Sequence, residues 1–199
     1  MNSVSCLVVN TDISPLVLQE IRTDLQQFKQ EQSYITRDNK KFLDTTKRNC
    51  ITASVPATKW YVGMLWHHLS RANDHGFHYD IKCFDGDAIS YISYTHNQFY
   101  KWHVDTHVIT HISPSPRAES KSSFDDYLQR KLSFSFILND DYEGGLFQVM
   151  NQTDDSMKTV QPKAGQMIIF DSRYKHRVTP VKNGKRDVLV GWAVGPNWR

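Results

Sequence analysis

The chain has little cysteine, and the cysteines it has show no paired spacing. Cys6, Cys50 and Cys83 are the 3 cysteines among 199 residues, and no Cys-x-x-Cys motif occurs. An odd, sparse count argues against a secreted disulfide scaffold, and the missing motif argues against a structural zinc finger. We therefore expect a reducing compartment and a cytoplasmic location.

Long hydrophobic runs are missing as well. No apolar segment approaches the roughly 20 residues that a membrane-spanning helix requires, and the N-terminus lacks the basic and apolar regions of a signal peptide. Neither sign of charge dominates, because 24 Lys and Arg are mixed with 21 Asp and Glu along the chain. We expect no membrane partner and no nucleic-acid partner.

The rest of the composition is typical of a folded protein. Hydrophobic residues make up 39% of the chain and aromatic residues 12%, which argues against an intrinsically disordered protein. The length of 199 residues suits one domain, 1–199, and no internal repeat is visible. We expect a monomer or a homodimer.

Two segments near the N-terminus have the apolar spacing of amphipathic helices. The first follows Ser14 as N-cap and Pro15 at the first helical position, and its apolar residues recur at spacings of three and four. The second runs over residues 56–73. Residues 32–50 are polar and basic and predict a loop or irregular segment. We therefore interpret residues 1–76 as a helical support region.

From residue 77 onward, short runs rich in aromatic and β-branched residues alternate with turn signals. Many short strands without intervening helices predict a β-sandwich, a jelly roll or a barrel, with the earlier helices covering one outer face of a sheet. Segment 106–130 is long and polar, which is typical of a functional or a disordered loop. The predicted strands cover residues 77–84, 88–95, 98–105, 131–139, 145–151, 158–161, 165–171, 176–181 and 186–194.

Two His-x-Asp pairs occur, His103 with Asp105 and His78 with Asp80. Because residues i and i+2 of a strand point to the same side, such a pair can present two ligands to one ion. Imidazole and carboxylate suit Fe(II) or Mn(II), and two histidines with one carboxylate mark non-haem iron oxygenases. The chain has 9 His and 17 Asp, so such pairs also arise by chance. The alternative is a polar strand face in contact with solvent.

Residues around the first pair carry a resemblance to a known family. Tyr94 precedes His103 by nine positions, and His176 lies 73 positions after His103 with Arg186 ten positions further on. With these residues in this order, the chain resembles the Fe(II)- and 2-oxoglutarate-dependent dioxygenases of the prolyl 4-hydroxylase-like superfamily, and PKHD-type hydroxylases in particular. The stretches RKLSFSFILNDDYEGG (130–145) and HRVTPV (176–181) are also similar to that family.

The resemblance distinguishes the two pairs and implies a fold. The residue nine positions before His78 is Leu69, which lies in a predicted helix. We therefore interpret His78 and Asp80 as structural or surface residues. The implied fold is mainly β, a double-stranded β-helix (jelly roll) over residues 77–196 with the N-terminal helices packed on one sheet.

The resemblance also implies the roles of the site residues. His103, Asp105 and His176 would be the catalytic metal ligands that hold Fe(II), and Arg186 and Tyr94 would bind the far carboxylate of 2-oxoglutarate. O2 would be the second cosubstrate and ascorbate the reductant. The implied reaction hydroxylates a C–H bond of a peptidyl or small-molecule substrate and releases succinate and CO2. The alternative is a non-catalytic jelly-roll module that binds a metal or a ligand.

The segment KNGK, residues 182–185, tests this implied site. Read as a type I′ hairpin turn, it would pair the two flanking strands and place His176 and Arg186 on opposite sides of one sheet. Both residues must reach one cavity, so we predict that the chain turns a corner between two sheets here. Trp192 alternates in phase with Arg186 and should pack on the same face.

Other aromatic and histidine residues have weaker support. Tyr100 and Trp102 either line the entrance or only pack against neighbours. His107 continues the alternation after Asp105 and could border the substrate entrance. We interpret the histidines outside the implied site as solvated or hydrogen-bonded residues, namely His67, His68, His75, His78, His107 and His111.

Overall fold

The computed structural model describes residues 6–37, 40–106, 108–109, 128–151 and 155–198. Helix α1 spans Pro15–Leu25, and helix α2 spans Trp60–Ala72 and continues into a π-helical turn at Asn73–Phe77. In the described part, no helix combines the length and the apolarity needed to cross a bilayer. The strands in chain order are β1 Cys6–Asn10, β2 Glu31–Gln32, β3 Ile35–Arg37, β4 Lys40–Phe42, β5 Arg48–Asn49, β6 Ile51–Pro56, β7 Cys83–Phe84, β8 Ala88–Tyr94, β9 Phe99–His103, β10 Val108–Ile109, β11 Leu128–Ile137, β12 Glu143–Gly144, β13 Phe147–Met150, β14 Met157–Val160, β15 Gln166–Asp171, β16 His176–Val178, β17 Val181–Asn183 and β18 Arg186–Pro196.

Most strands belong to two sheets. The larger sheet has the order β1-β15-β11-β18-β8-β6-β2, with β10 beside β11 and β7 beside β18. The smaller sheet has the order β14-β13-β16-β9-β5, and β3–β4 and β12–β17 form two short ribbons. The predicted mainly-β jelly roll is confirmed by this arrangement of two sheets.

Alternation along the large-sheet strands produces two apolar cores. On β15, Met167 and Ile169 pack with the helices, whereas Ile168 and Phe170 pack between the two sheets. Each side chain that is fully buried in this way stabilises the fold by about 1.5–3 kcal/mol. The helices therefore cover one face of the large sheet, and the smaller sheet covers the other.

Helix α1 begins where the sequence predicts. The Ser14 hydroxyl accepts a hydrogen bond from the Val17 N–H at 3.4 Å, and Pro15 is the first helical residue. Its buried residues, Leu18, Ile21 and Leu25, recur at the predicted spacings of three and four. The N-cap and the apolar spacing depend only on residues that are close in the chain, so the sequence is sufficient to predict this helix.

The region before residue 77, interpreted from the sequence as a helical support region, also contains strands that the sequence did not predict. Strand β1 pairs with β15, β6 pairs with β8, and β5 pairs with β9, so this region adds strands to both sheets. The predicted loop at residues 32–50 likewise contains the ribbon β3–β4 and strand β5. These short strands are stabilised by partners far along the chain, and a local pattern does not reveal such partners.

The predicted strand at residues 77–84 is largely absent. Only Cys83–Phe84 pairs, with β18, while Phe77 ends the π-helical turn. His78 then caps that turn with a left-handed backbone at φ 56°. A left-handed residue cannot continue an extended strand, so the strand cannot begin before this point.

The corner predicted near residues 182–185 is confirmed. Strand β16 pairs with β9 and β13 in the smaller sheet, whereas β18 pairs with β8 and β11 in the larger one. The turn at residues 182–185 is not of type I′, because that type needs two left-handed residues. Gly184 has φ 77°, but Asn183 is not among the residues with positive φ. Strand β17 pairs with β12 instead, which separates His176 from Arg186 by a change of sheet.

Candidate metal centre and its cavity

Two neighbouring strands of the smaller sheet bring His103, Asp105 and His176 together. His103 ends β9, His176 begins β16, and the two are direct cross-strand partners. Asp105 follows β9 by two residues, and its two oxygens lie 3.6 Å from His103 Nε2 and 3.4 Å from His176 Nε2. One ligand atom from each of the three residues lies within 4.8 Å of the others. Three such donors at this spacing could hold one metal ion.

Backbone carbonyls orient both imidazoles. His103 Nδ1 lies 2.8 Å from the Lys101 carbonyl oxygen, and His176 Nδ1 lies 2.9 Å from the Tyr174 carbonyl oxygen. A carbonyl oxygen only accepts hydrogen bonds, so each Nδ1 carries the proton. Each Nε2 is therefore left with a free lone pair on the side of Asp105. This is the tautomer that a metal ligand requires.

The charges of His103 and Asp105 also suit metal binding. Burial, with a further effect from His176, lowers the pKa of His103 to about 3, so its imidazole is neutral near neutral pH. Burial alone would raise the pKa of Asp105, but the nearby His176 and His103, with a hydrogen bond from Ser133, lower it. Asp105 is therefore a carboxylate, and metal ligands must be deprotonated in this way.

Two serines hold the Asp105 carboxylate and its backbone. The Ser133 hydroxyl on β11 donates to Asp105 Oδ2 at 2.9 Å, and it lies 2.9 Å from the Ser172 hydroxyl. The Asp105 N–H donates to the Ser172 carbonyl oxygen at 3.0 Å. Both serines are completely buried, so these bonds are shielded from water. Sequence reasoning missed both residues, although a serine on the buried face of a core strand was a visible signal.

A cavity of about 320 Å³ opens between the two sheets beside this triad. Its walls include aliphatic and aromatic side chains together with three arginines. The lining includes Tyr34, Ile35, Arg48, Tyr94, Tyr100, His103, Asp105, Arg130, Ser135, His176, Arg186, Val188, Val190 and Trp192.

Arg186 and Tyr94 lie in this cavity and are direct cross-strand partners on β18 and β8. Arg186 is 1% exposed, and its guanidinium carbon lies 5.4 Å from the centroid of the Tyr94 ring. Its Nε and Nη2 are buried and have no hydrogen-bond partner among the described residues. A buried guanidinium with unused donors is unfavourable unless a ligand accepts them.

The predicted face of β18 is confirmed. Val188, Val190 and Trp192 line the cavity together with Arg186, as the strand period requires. The guanidinium carbon of Arg130 lies 3.7 Å from the centroid of the Trp192 ring. Arg130 is held from the other side by an ion pair with Asp85 at 2.5 Å. Trp192 therefore forms a rigid part of the cavity wall.

The structure also shows which of the remaining candidate residues line the cavity. His78 and Asp80 are exposed, as predicted for residues outside the site. Tyr100 lines the cavity and stacks on His103 with 3.5 Å between ring centroids. Trp102 does not line it and instead lies under Arg177, 4.6 Å from its guanidinium carbon. The candidates His107 and His111 lie outside the described residues.

These observations fit an Fe(II) ion with 2-oxoglutarate. Two neutral imidazoles and one carboxylate are the donor set of non-haem Fe(II) oxygenases, in which some coordination positions stay open for reactants. 2-Oxoglutarate carries a second carboxylate at the far end of its chain, and the unused donors of Arg186 in the same cavity match such an anion. The donor set fits Fe(II), and the buried guanidinium fits 2-oxoglutarate. These two observations are independent of each other.

Comparison with known proteins shows similar sequences among PKHD-type hydroxylases. The chain is 36% identical over 92 residues to one from Prochlorococcus marinus (strain NATL2A), covering 45% of this chain and 35% of that protein. It is 33% identical over 101 residues to one from Alteromonas mediterranea, covering 50% of this chain and 39% of that protein. The chain thus matches only between a third and two fifths of the length of these curated relatives.

Solved structures show the same fold. A prolyl hydroxylase from Trichoplax adhaerens, in complex with a hypoxia inducible factor peptide fragment, superposes with a TM-score of 0.70 at 16% identity, covering 96% of this chain and 84% of that one. A prolyl-4-hydroxylase from Pseudomonas putida gives a TM-score of 0.63 at 17% identity, covering 95% and 91%. A family model matches residues 89–194, more than half of the chain and all five candidate site residues. The chain belongs to the 2OG-Fe(II) oxygenase superfamily.

Proposed function

We propose that the chain is an Fe(II)- and 2-oxoglutarate-dependent dioxygenase that hydroxylates a C–H bond of a peptidyl or small-molecule substrate. One observation carries the proposal. The convergent donors of His103, Asp105 and His176 share one cavity with the buried guanidinium of Arg186, whose Nε and Nη2 have no hydrogen-bond partner among the described residues. A protein that bound only a metal would not need a buried, unpaired cation beside it.

In this proposal the chain's own residues bind and orient the reactants. His103, Asp105 and His176 hold the metal, and Arg186 grips the far carboxylate of 2-oxoglutarate through charge-assisted hydrogen bonds. Tyr94, which is buried beside Arg186, donates its hydroxyl to the same carboxylate. Binding the cosubstrate at both ends fixes its orientation and lowers the entropy barrier of the reaction.

Fe(II), when bound, supplies the redox chemistry that couples O2 reduction to decarboxylation of the cosubstrate. The balanced reaction is substrate R–H with 2-oxoglutarate and O2 giving R–OH, succinate and CO2. One oxygen atom of O2 enters succinate and the other enters the product hydroxyl. The aromatic and aliphatic walls of the cavity keep bulk water away from the reacting groups.

A peptidyl substrate is supported by the Trichoplax adhaerens neighbour, whose structure holds a peptide fragment. PKHD-type relatives share the sequence around the site, which supports a hydroxylase. The use of ascorbate, the cytoplasmic location and the monomeric or homodimeric state stay predictions.

The test is turnover by the purified chain. With Fe(II), ascorbate, 2-oxoglutarate and air, it should release succinate slowly even without a primary substrate. Asp105→Ala should reduce that release to the level of the protein-free control. If the wild type releases no succinate while it still binds Fe(II), the chain is a non-catalytic binding module and the proposal is wrong.

A further inference from the structure

A third arginine, Arg48, lines the cavity from the sheet opposite Arg186. It lies on β5 and is the direct cross-strand partner of Tyr100 on β9. Its guanidinium carbon lies 4.8 Å from the centroid of the Tyr100 ring, which also stacks on His103. The same aromatic ring therefore contacts both this guanidinium and a candidate metal ligand.

The charge of Arg48 has no fixed counter-ion among the described residues. Its Nη1 donates to the Tyr34 carbonyl oxygen at 3.3 Å, but its Nε is buried and has no hydrogen-bond partner in that part of the chain. No carboxylate of the described ranges forms an ion pair with it. The titratable groups that act on its charge are Cys50, Tyr94 and Tyr100.

None of these neighbours supplies a negative charge that fits Arg48. The phenols of Tyr94 and Tyr100 are neutral at physiological pH, as ordinary phenols are. The thiol of Cys50 is at best a weak acceptor. Arg48 is half-buried, and its buried Nε–H without an acceptor is unfavourable, a penalty that a bound anion removes.

2-Oxoglutarate does not supply a counter-ion for Arg48. In the proposed function one of its carboxylates goes to the metal and the other to Arg186. Arg48 lies on the other sheet, at the end of the cavity bordered by Ile35 and by Tyr34, which is 44% exposed. The exposure of Tyr34 shows that this end of the cavity reaches the protein surface, so a primary substrate could contact Arg48 there.

We infer that Arg48 binds a carboxylate of the primary substrate. This inference rests on the proposed function and deepens it, because it assigns the substrate to the organic acids or to peptides that present a carboxylate. A guanidinium recognises a carboxylate through paired, charge-assisted hydrogen bonds, and the unused Nε–H of Arg48 is available for one of them.

The test uses the Zn(II)-loaded protein, which is diamagnetic and redox-inert, and records the arginine Nε–H signals by NMR. The signals of Arg48 and Arg186 are assigned by their loss in Arg48→Met and Arg186→Met. 2-Oxoglutarate is first added to saturation, and acetate is then titrated as a simple carboxylate with acetamide as its neutral control. N-acetylglycine and the α-amide of N-acetylaspartate separately present a terminal and a side-chain carboxylate, which distinguishes these two sources.

We expect 2-oxoglutarate to shift the Arg186 signal and acetate to shift the Arg48 signal saturably, with no effect of acetamide. The Ile35 methyl signal should report the same acetate binding. The dissociation constant for acetate should be at least tenfold higher in Arg48→Met than in the wild type, and the value for Arg48→Lys should lie between the two. If acetate does not shift the Arg48 signal, or if acetamide shifts it equally, the inference is wrong although the proposed function stands. If Arg186 does not respond to 2-oxoglutarate, the proposed function fails whatever Arg48 does.

Discussion

Arg186 and Tyr94 are direct cross-strand partners, and both side chains face the cavity that also contains His103, Asp105 and His176. The pairing connects the proposed cosubstrate clamp to the centre of the large sheet, because β18 lies between β8 and β11. The clamp is therefore held by regular strands and not by a loop, which gives it a fixed position relative to the metal ligands on the smaller sheet.

Arg186→Met should weaken 2-oxoglutarate binding by about 10- to 100-fold, because it removes charge-assisted hydrogen bonds worth about 1.5–3 kcal/mol. Metal affinity without cosubstrate should change less than twofold, since among the described residues Arg186 forms no ion pair with Asp105. Calorimetry with the Zn(II)-loaded protein measures both quantities, and Lys182→Met on the exposed end of β17 is the control. An equal loss of metal binding would show that Arg186 is misassigned.

Gly145→Ala should weaken 2-oxoglutarate binding, because the added methyl group would displace the Arg186 side chain. A Cβ at this position would lie 2.9 Å from Arg186 Cδ and 3.0 Å from Val181 Cγ2, in a left-handed backbone at φ 57°. Left-handed strain costs about 1–2 kcal/mol of stability for a non-glycine residue, and the arginine must also move. We expect a several-fold weaker affinity for 2-oxoglutarate, measured by calorimetry.

Gly86→Ala is the matched control for that variant. Gly86 also has a left-handed backbone, at φ 78°, but nothing lies within 4 Å of a Cβ built there. It should lose comparable stability in urea denaturation and keep full affinity for 2-oxoglutarate. Equal affinity in both alanine variants would mean that Gly145 does not position Arg186.

Ser133→Ala should lower metal affinity by about tenfold, because a residue that supports a metal ligand typically contributes 10- to 100-fold. The change removes the 2.9 Å hydrogen bond to Asp105 Oδ2 and leaves the ligands themselves intact. Ser135→Ala is the control, since Ser135 lies two residues further along the same strand and lines the cavity. Competition with a chelator gives the affinity, and unchanged binding in Ser133→Ala would contradict a supporting role.

The metal-free protein should lose stability as the pH falls below about 6.5. The native pKa of His103 is about 3 against an ordinary 6.5, so between these values the unfolded state binds a proton that the native state does not. This contribution is complete above pH 6.5 and is lost progressively toward pH 3.

Urea denaturation at pH 7, 6 and 5 measures this effect. The His103→Gln variant should show a shallower pH dependence than the wild type, by up to about 1.4 kcal/mol per pH unit for one proton. Parallel profiles for the two proteins would show that His103 keeps its ordinary pKa in the native state.

The site was more predictable from the sequence than its surroundings. The positions of Tyr94, His176 and Arg186 relative to His103 reflect a family pattern, and strand alternation correctly placed Trp192 on the cavity wall. Arg48 was not predictable, because it reaches the cavity only through the pairing of β5 with β9, about 50 residues away in the chain. A two-residue strand is too short to show a periodic pattern in the sequence. The hydrogen bonds of Ser133 and Ser172 to Asp105 join three segments that are far apart in the chain, so the sequence does not reveal them either.

The central claim is that one metal and 2-oxoglutarate bind together in the cavity of His103, Asp105 and His176. Anaerobic titration of the Fe(II)-loaded chain with 2-oxoglutarate, followed by visible absorption, tests it most directly. We predict a saturable charge-transfer band at one cosubstrate per chain, absent in Asp105→Ala and requiring at least tenfold more 2-oxoglutarate in Arg186→Met. A wild-type protein that binds Fe(II) but shows no band at any 2-oxoglutarate concentration would contradict the account.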